Sequence, residues 1–369
     1  MSDPVAIADG VCKSFGEEGV LESVDLTVEE GELLVLMGPN GVGKSVLLSC
    51  FAGSERPSAG SVDVFGEPAT ARADTTSFLL QDALALESLT GRENVDFYRR
   101  LHPAFTDDWR AHVERLGIAD DLEKSVADYS GGMVRKLELA IAASIDAPLY
   151  LFDEPTAALD LGTIPTVHEL FREKRAEGKT IVVASHRPMN ADIADRIAFL
   201  ADGRIVATGP PDELLASVPP VLETGASNAS ALADIVAGEP FAVAGNVRGF
   251  VPPRDGDATG DDADTEPSVA TPTDAAPLLE EATDLEPSLE ALADAAGIDR
   301  TALSIVEPTY TDLLRTTRTV CRQRLPPIHD ESRTIRGRRR GRASDRTHGD
   351  QGSDGARVGA SLLVAVLDR

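Results

Sequence analysis

Gly38-Pro39-Asn40-Gly41-Val42-Gly43-Lys44-Ser45 is preceded by the apolar run Leu33–Met37 and followed by a helix-compatible apolar stretch at 46–52. A buried strand, a glycine-rich loop and a helix in that order make a phosphate-binding loop. The glycines let successive backbone N–H groups converge on anionic oxygens. The helix adds about half a positive charge at its N-terminus. Lys44 is placed to reach the β- and γ-phosphates of a triphosphate, and the Ser45 hydroxyl to ligate Mg²⁺. Gly38, Pro39, Asn40, Gly41, Val42, Gly43, Lys44, Ser45 and Val46 are therefore the candidate nucleotide-binding residues, in an α/β fold of the P-loop NTPase type.

Downstream, Leu149-Tyr150-Leu151-Phe152-Asp153-Glu154 reads as a hydrophobic strand ending in two carboxylates. That position is the carboxyl edge of a parallel sheet, where ligands bind. Asp153 would hold Mg²⁺, and Glu154 would act as general base on the attacking water. Ser130-Gly131-Gly132 opens a predicted helix with a Ser N-cap and makes a second anion-binding helix terminus. Gln81 follows an apolar stretch at 77–80, and His186 follows a strand signal at 180–184.

The order and spacing of these motifs, with Ala158-Leu159-Asp160 after the carboxylate pair, resemble the ATP-binding subunit of ABC transporters over roughly 5–217. The resemblance implies further roles. Gln81 senses Mg²⁺ and water, His186 contacts the γ-phosphate and the attacking water, and Phe15 stacks on adenine. Asp160 lies in a dimer-interface loop, and Ser130, Gly131 and Gly132 close over ATP held by a partner subunit. Three positions depart from the usual pattern. Val46 stands where Thr is common, and Tyr129 and Met133 replace the ends of Leu-Ser-Gly-Gly-Gln. The ATP-sandwiching serine and glycines are intact. The implied fold has an antiparallel β subdomain and a helical subdomain of about 82–135 within an ATP-binding domain of 1–218.

Beyond 218 the short elements run β-α-β-β-α-β, which predicts a small ferredoxin-like α+β module over 219–318. Its expected pieces include a helix at 229–237 and a hairpin turning at Gly245-Asn246. An acidic stretch at 252–277, rich in Asp, Thr, Ala and Pro, interrupts it and is expected to be a disordered linker. Residues 319–369 form an arginine-rich tail, read as disorder or as a reading-frame artefact.

The formal net charge of −27 is uneven: −18 over 1–218, −14 over 219–320 and +5 over 321–369. Only Lys13, Lys44, Lys124, Lys136, Lys174 and Lys179 are lysines. Such a surface suits a cytoplasm of very high salt, where carboxylate repulsion is screened; an ordinary acidic protein is the rival reading. It argues against nucleic-acid binding, which needs a basic surface. Cys12, Cys50 and Cys321 have no disulfide or metal spacing, so a reducing compartment is expected. Neither a signal peptide nor a membrane-spanning run is expected. The expected function is an ATPase subunit using ATP and Mg²⁺. It would dimerise, most simply as a homodimer, and drive a separate membrane permease from the cytoplasmic face of the membrane. Met133-Val134-Arg135-Lys136-Leu137 and the C-terminal module resemble exporter-type subunits. The alternative is a soluble ABC ATPase such as an iron–sulfur assembly ATPase.

Overall fold

The structure is a computed structural model that describes residues 4–81, 84–251, 286–313 and 315. The linker at 252–277 and the tail at 319–369 lie outside the described residues. The chain divides into two compact units, one formed by 1–81 with 147–319 and the other containing 82–146.

In the first unit, β1 (Pro4–Phe15) and β2 (Glu18–Glu29) form a long antiparallel pair, and β3 (Leu33–Met37) leads into the P-loop and α1 (Lys44–Phe51). β4 (Ala59–Val64) and the two-residue β5 (Glu67–Pro68) complete a sheet of order β2-β1-β4-β5. The second sheet takes β3 and β6 (Thr76–Leu79), and from later in the chain β7 (Leu149–Asp153), β8 (Thr180–Ser185), β9 (Arg196–Ala201) and β10 (Arg204–Gly209). Its order is β10-β9-β3-β8-β7-β6, parallel throughout except for the antiparallel β10 edge. Every residue of β3, β7 and β8 is buried, as expected of strands covered on both faces. Leu47, Leu48 and Phe51 of α1 share one core with Leu34, Leu36, Leu151 and Val182 of this sheet and with Val11, Val24 and Val64 of the antiparallel sheet. That shared packing fixes α1, and hence the loop before it, on the end of β3.

After β10 come α6 (Pro211–Ala216) and a module containing β11 (Val221–Gly225), α7 (Ala229–Ala233), β12 (Ala237–Val243), β13 (Asn246–Phe250), α8 (Glu286–Ala296) and β14 (Leu303–Val306). Its sheet is antiparallel in the order β12-β13-β11-β14, the arrangement of a split β-α-β ferredoxin-like fold. Two local expectations are corrected. The hairpin turns at Ala244-Gly245, one residue earlier than expected, with φ of 49° and 88° and Val243 facing Asn246. Positive φ at both central residues is what a two-residue hairpin loop needs. A one-residue slip would also remove Val247 from the core that it shares with Leu222 and Leu303. The helix expected at 229–237 ends at Ala233, because Ala237 pairs with Phe250 in β12.

The second unit carries α2 (Gly91–Leu101), α3 (Trp109–Arg115) and α4 (Gly131–Ala143), with α5 (Ile164–Ala176) belonging to the first. Thr90 and Glu93 form a capping box at α2: Glu93 N donates to Thr90 Oγ1 at 3.1 Å, and Thr90 N to Glu93 Oε2 at 2.8 Å. Glu138 of α4 clamps the segment that follows Gln81. Its Oε1 accepts from Leu84 N at 2.5 Å and Ala85 N at 3.2 Å, and its Oε2 from buried Arg135 at 3.1 Å.

Candidate active site

The P-loop joins β3 to α1, and two of its glycines are required by contact, one of them by conformation as well. A Cβ on Gly38 would fall 2.2 Å from the Leu200 carbonyl oxygen. Gly43 is left-handed at φ +103°, and a Cβ there would meet Leu21 at 2.7 Å. At Gly38 and Gly43 a side chain has no room against the walls of the loop, whereas Gly41, at φ +82°, faces open space. Lys44 is buried, and its Nζ donates to Gly38 O at 2.8 Å and Pro39 O at 3.0 Å. Burial pulls the ammonium below its ordinary value, opposed by the nearby carboxylates of Glu154 and Asp153. Ser45 is half-buried, and half-buried Val46 packs against the core, a place for an apolar residue where Thr is common.

Asp153 closes β7 beside Ala184 of β8 and is buried. Glu154, the next residue, leaves the strand in the left-handed region at φ 46°, with its N–H donating to Ala184 O at 2.9 Å. A non-glycine residue there costs about 1–3 kcal/mol and persists only where its surroundings hold it. Here they do. Glu154 Oε1 accepts from His186 N at 3.0 Å and His186 Nδ1 at 2.7 Å, and Oε2 from Ser185 Oγ at 3.3 Å. Lys44 Nζ stands 3.8 Å from the same Oε1. A carboxylate only accepts, so the His186 proton toward it is on Nδ1.

The fold thus brings Lys44, Asp153, Glu154 and His186 together from three neighbouring parallel strands. Gln81 is exposed just beyond β6, on the strand beside β7. Phe15 ends β1 with 49% of its surface exposed and Lys13 Nζ 4.9 Å from its ring centre, so it is not a core residue. Asp160 is exposed and turns its own loop, accepting from Thr163 N at 2.9 Å and Thr163 Oγ1 at 2.7 Å. Ser130, Gly131 and Gly132 belong to the helical unit, where Ser130 Oγ caps α4 by accepting from Met133 N at 3.3 Å. Ser185, Asn190, Thr156 and His168, which the sequence reading passed over, form a buried polar chain ending on Glu154. No local signal marks it, since Asn190 sits in a stretch that also holds Arg187, Asp192 and Asp195.

The sequence pattern described as ABC transporter matches residues 21–157. The daunorubicin resistance ATP-binding protein DrrA3 of Streptomyces coeruleorubidus is 34% identical over 225 residues, which cover 58% of this chain and 71% of that protein. The Nod factor export ATP-binding protein I of Rhizobium johnstonii is 38% identical over 223 residues, 58% of this chain and 71% of that one. Among solved structures, a dimeric bacterial ABC transporter cassette superimposes with a TM-score of 0.50 at 28% identity, covering 56% of this chain and 98% of that one. With the P-loop, the carboxylate pair and His186 assembled as described, the chain belongs to the ABC transporter ATP-binding family and is an ATP-binding, ATP-hydrolysing subunit of that family.

Proposed function

We propose that this subunit powers an exporter, with Glu154 as general base, working as a homodimer beneath a separate membrane permease at the cytoplasmic face. The observation that carries the catalytic part is the convergence of His186, Ser185 and Lys44 on one buried carboxylate. In the reaction, Glu154 takes a proton from the water that attacks the γ-phosphorus. The new P–O bond forms as the bond to the bridging oxygen breaks, giving ADP and phosphate. Lys44 and the P-loop amides stabilise charge on the phosphate oxygens. His186 holds the base in place. Phe15, exposed at the end of β1, is the adenine platform.

The donors available to a metal are a hydroxyl (Ser45), an amide oxygen (Gln81) and a carboxylate (Asp153). That all-oxygen set with a single carboxylate suits Mg²⁺ shared with phosphates. When bound, Mg²⁺ supplies charge neutralisation at the β- and γ-phosphate oxygens. Ser130, Gly131 and Gly132 cap the partner's ATP, and Asp160 lines the dimer interface. Residues 1–218 are read as the ATP-binding domain, and 219–318 as an accessory module.

Export follows from the relatives named for resistance and export; they give no support to an iron–sulfur assembly ATPase. Among the described residues no helix is long and apolar enough to cross a membrane. The charge of −27 fits work in concentrated salt, where the Debye length falls to about 3 Å at 1 M. Affinity capture of the Glu154→Gln variant from solubilised host membranes, in Mg-ATP and high KCl, tests the assignment. A polytopic membrane protein near stoichiometry supports it. Recovery of soluble partners alone, with permeases present in the extract, contradicts it.

A further inference from the structure

We infer that Asn190 is a positioning residue for the hydrolytic base: it holds the Ser185 hydroxyl so that its hydrogen points at Glu154 Oε2, and His168 orients Asn190 to do so. The inference rests on Glu154 being the base. Ser185 Oγ has three partners: Glu154 Oε2 at 3.3 Å, Arg187 N at 3.0 Å and Asn190 Nδ2 at 2.7 Å. A hydroxyl offers one hydrogen and two lone pairs. The Arg187 N–H can only donate and the carboxylate can only accept, so Ser185 gives its hydrogen to Glu154 and must accept from Asn190.

The orientation of Asn190 follows. With Nδ2 toward Ser185, the second amide hydrogen reaches Thr156 Oγ1 at 3.0 Å, and Oδ1 faces His168 Nε2 at 2.8 Å. An amide oxygen only accepts, so His168 carries its hydrogen on Nε2. Asn190, Ser185 and Thr156 are at most 1% exposed and His168 is 8% exposed, so the chain is satisfied from within the protein. It runs from α5, through the turn after His186, to the base and to the loop that follows it. Apolar side chains could fill the same volume; what they could not do is set the direction of the Ser185 hydrogen.

Asn190→Asp separates direction from packing. It keeps the shape but replaces a donor with an acceptor, which turns the Ser185 hydrogen away from Glu154. Hydrolysis by the purified full-length chain is measured for Asn190→Asp, Ser185→Ala and the double variant, with fluorescent-ATP affinity alongside. Expected is a loss in kcat of about tenfold for each single variant, the scale of one hydrogen bond to a charged group. ATP affinity stays within twofold, and Asn190→Asp adds less than twofold in the Ser185→Ala background. His168→Gln, which keeps a donor, retains most activity, whereas His168→Leu loses about as much as Asn190→Asp. Wild-type kcat in Asn190→Asp, or the full loss persisting without Ser185, overturns the inference. So does equal loss in both His168 variants, a reading that also serves if Asn190→Asp fails to fold. Normal turnover in Glu154→Gln is a different result and defeats the reading of the base itself.

Discussion

His186 Nδ1 and Lys44 Nζ approach the same oxygen of Glu154, Oε1, at 2.7 Å and 3.8 Å. One carboxylate atom thus links the P-loop lysine to the histidine after β8. Glu154 is held there on a left-handed backbone whose N–H is tied to β8. In the proposed mechanism, His186→Ala removes the imidazole tether of the base and leaves the Ser185 hydroxyl, the His186 backbone N–H and Lys44 beside it. It is expected to lower kcat by about a hundredfold, within the range of general-base effects. ATP affinity, read by fluorescent-nucleotide titration, changes little.

Gly38→Ala tests the packing of the P-loop. Its Cβ would meet a backbone oxygen of β9, at Leu200, which cannot swing aside. Overpacking of this kind costs about 1–3 kcal/mol. The variant is expected to melt lower and to bind ATP at least tenfold more weakly, about the loss of one backbone contact to phosphate. Gly41→Ala meets nothing within 4 Å but sits at φ +82°, so it pays only the left-handed strain of about 1–2 kcal/mol.

Glu138 anchors the segment after Gln81 through two backbone amides and Arg135. Removing one partner of a buried ion pair leaves the other uncompensated, at about 3–5 kcal/mol. Urea unfolding of Glu138→Ala should show a destabilisation of that size. Glu138→Gln, which can still accept from the amides, loses less. Hydrogen exchange at Leu84 and Ala85 would rise in both.

Cys50 predicts a pH dependence of stability. Burial pushes its thiol from 9.0 up to about 11, with Lys13 opposing. The neutral thiol is favoured in the fold, so this contribution is complete below pH 9 and is lost as pH rises through 11. The amount is of order 2–3 kcal/mol. Chemical denaturation of wild type and Cys50→Ala between those limits should show the wild type losing its advantage as pH rises.

What was legible in the sequence was local. The β3–loop–α1 unit and the strand ending in Asp153-Glu154 each declare themselves within a few residues. The order of the C-terminal elements also sufficed for its topology. The hairpin there was misplaced by one residue because Gly245-Asn246 and Ala244-Gly245 are both acceptable turns, and only packing of Val247 chooses between them. The left-handed Glu154 was not legible, since it depends on a bond to Ala184 in another strand. Nor was the chain through Asn190, His168 and Ser185, whose members meet only when α5, β8 and the following turn are folded together.

The most direct test is steady-state hydrolysis by Glu154→Gln at saturating Mg-ATP in high KCl, with ATP affinity and dimer mass measured on the same preparation. The predicted result is a fall in turnover of at least about a hundredfold, with affinity within twofold of wild type and an ATP-bound dimer accumulating. Turnover within about threefold of wild type, too small for loss of a general base, would contradict the account.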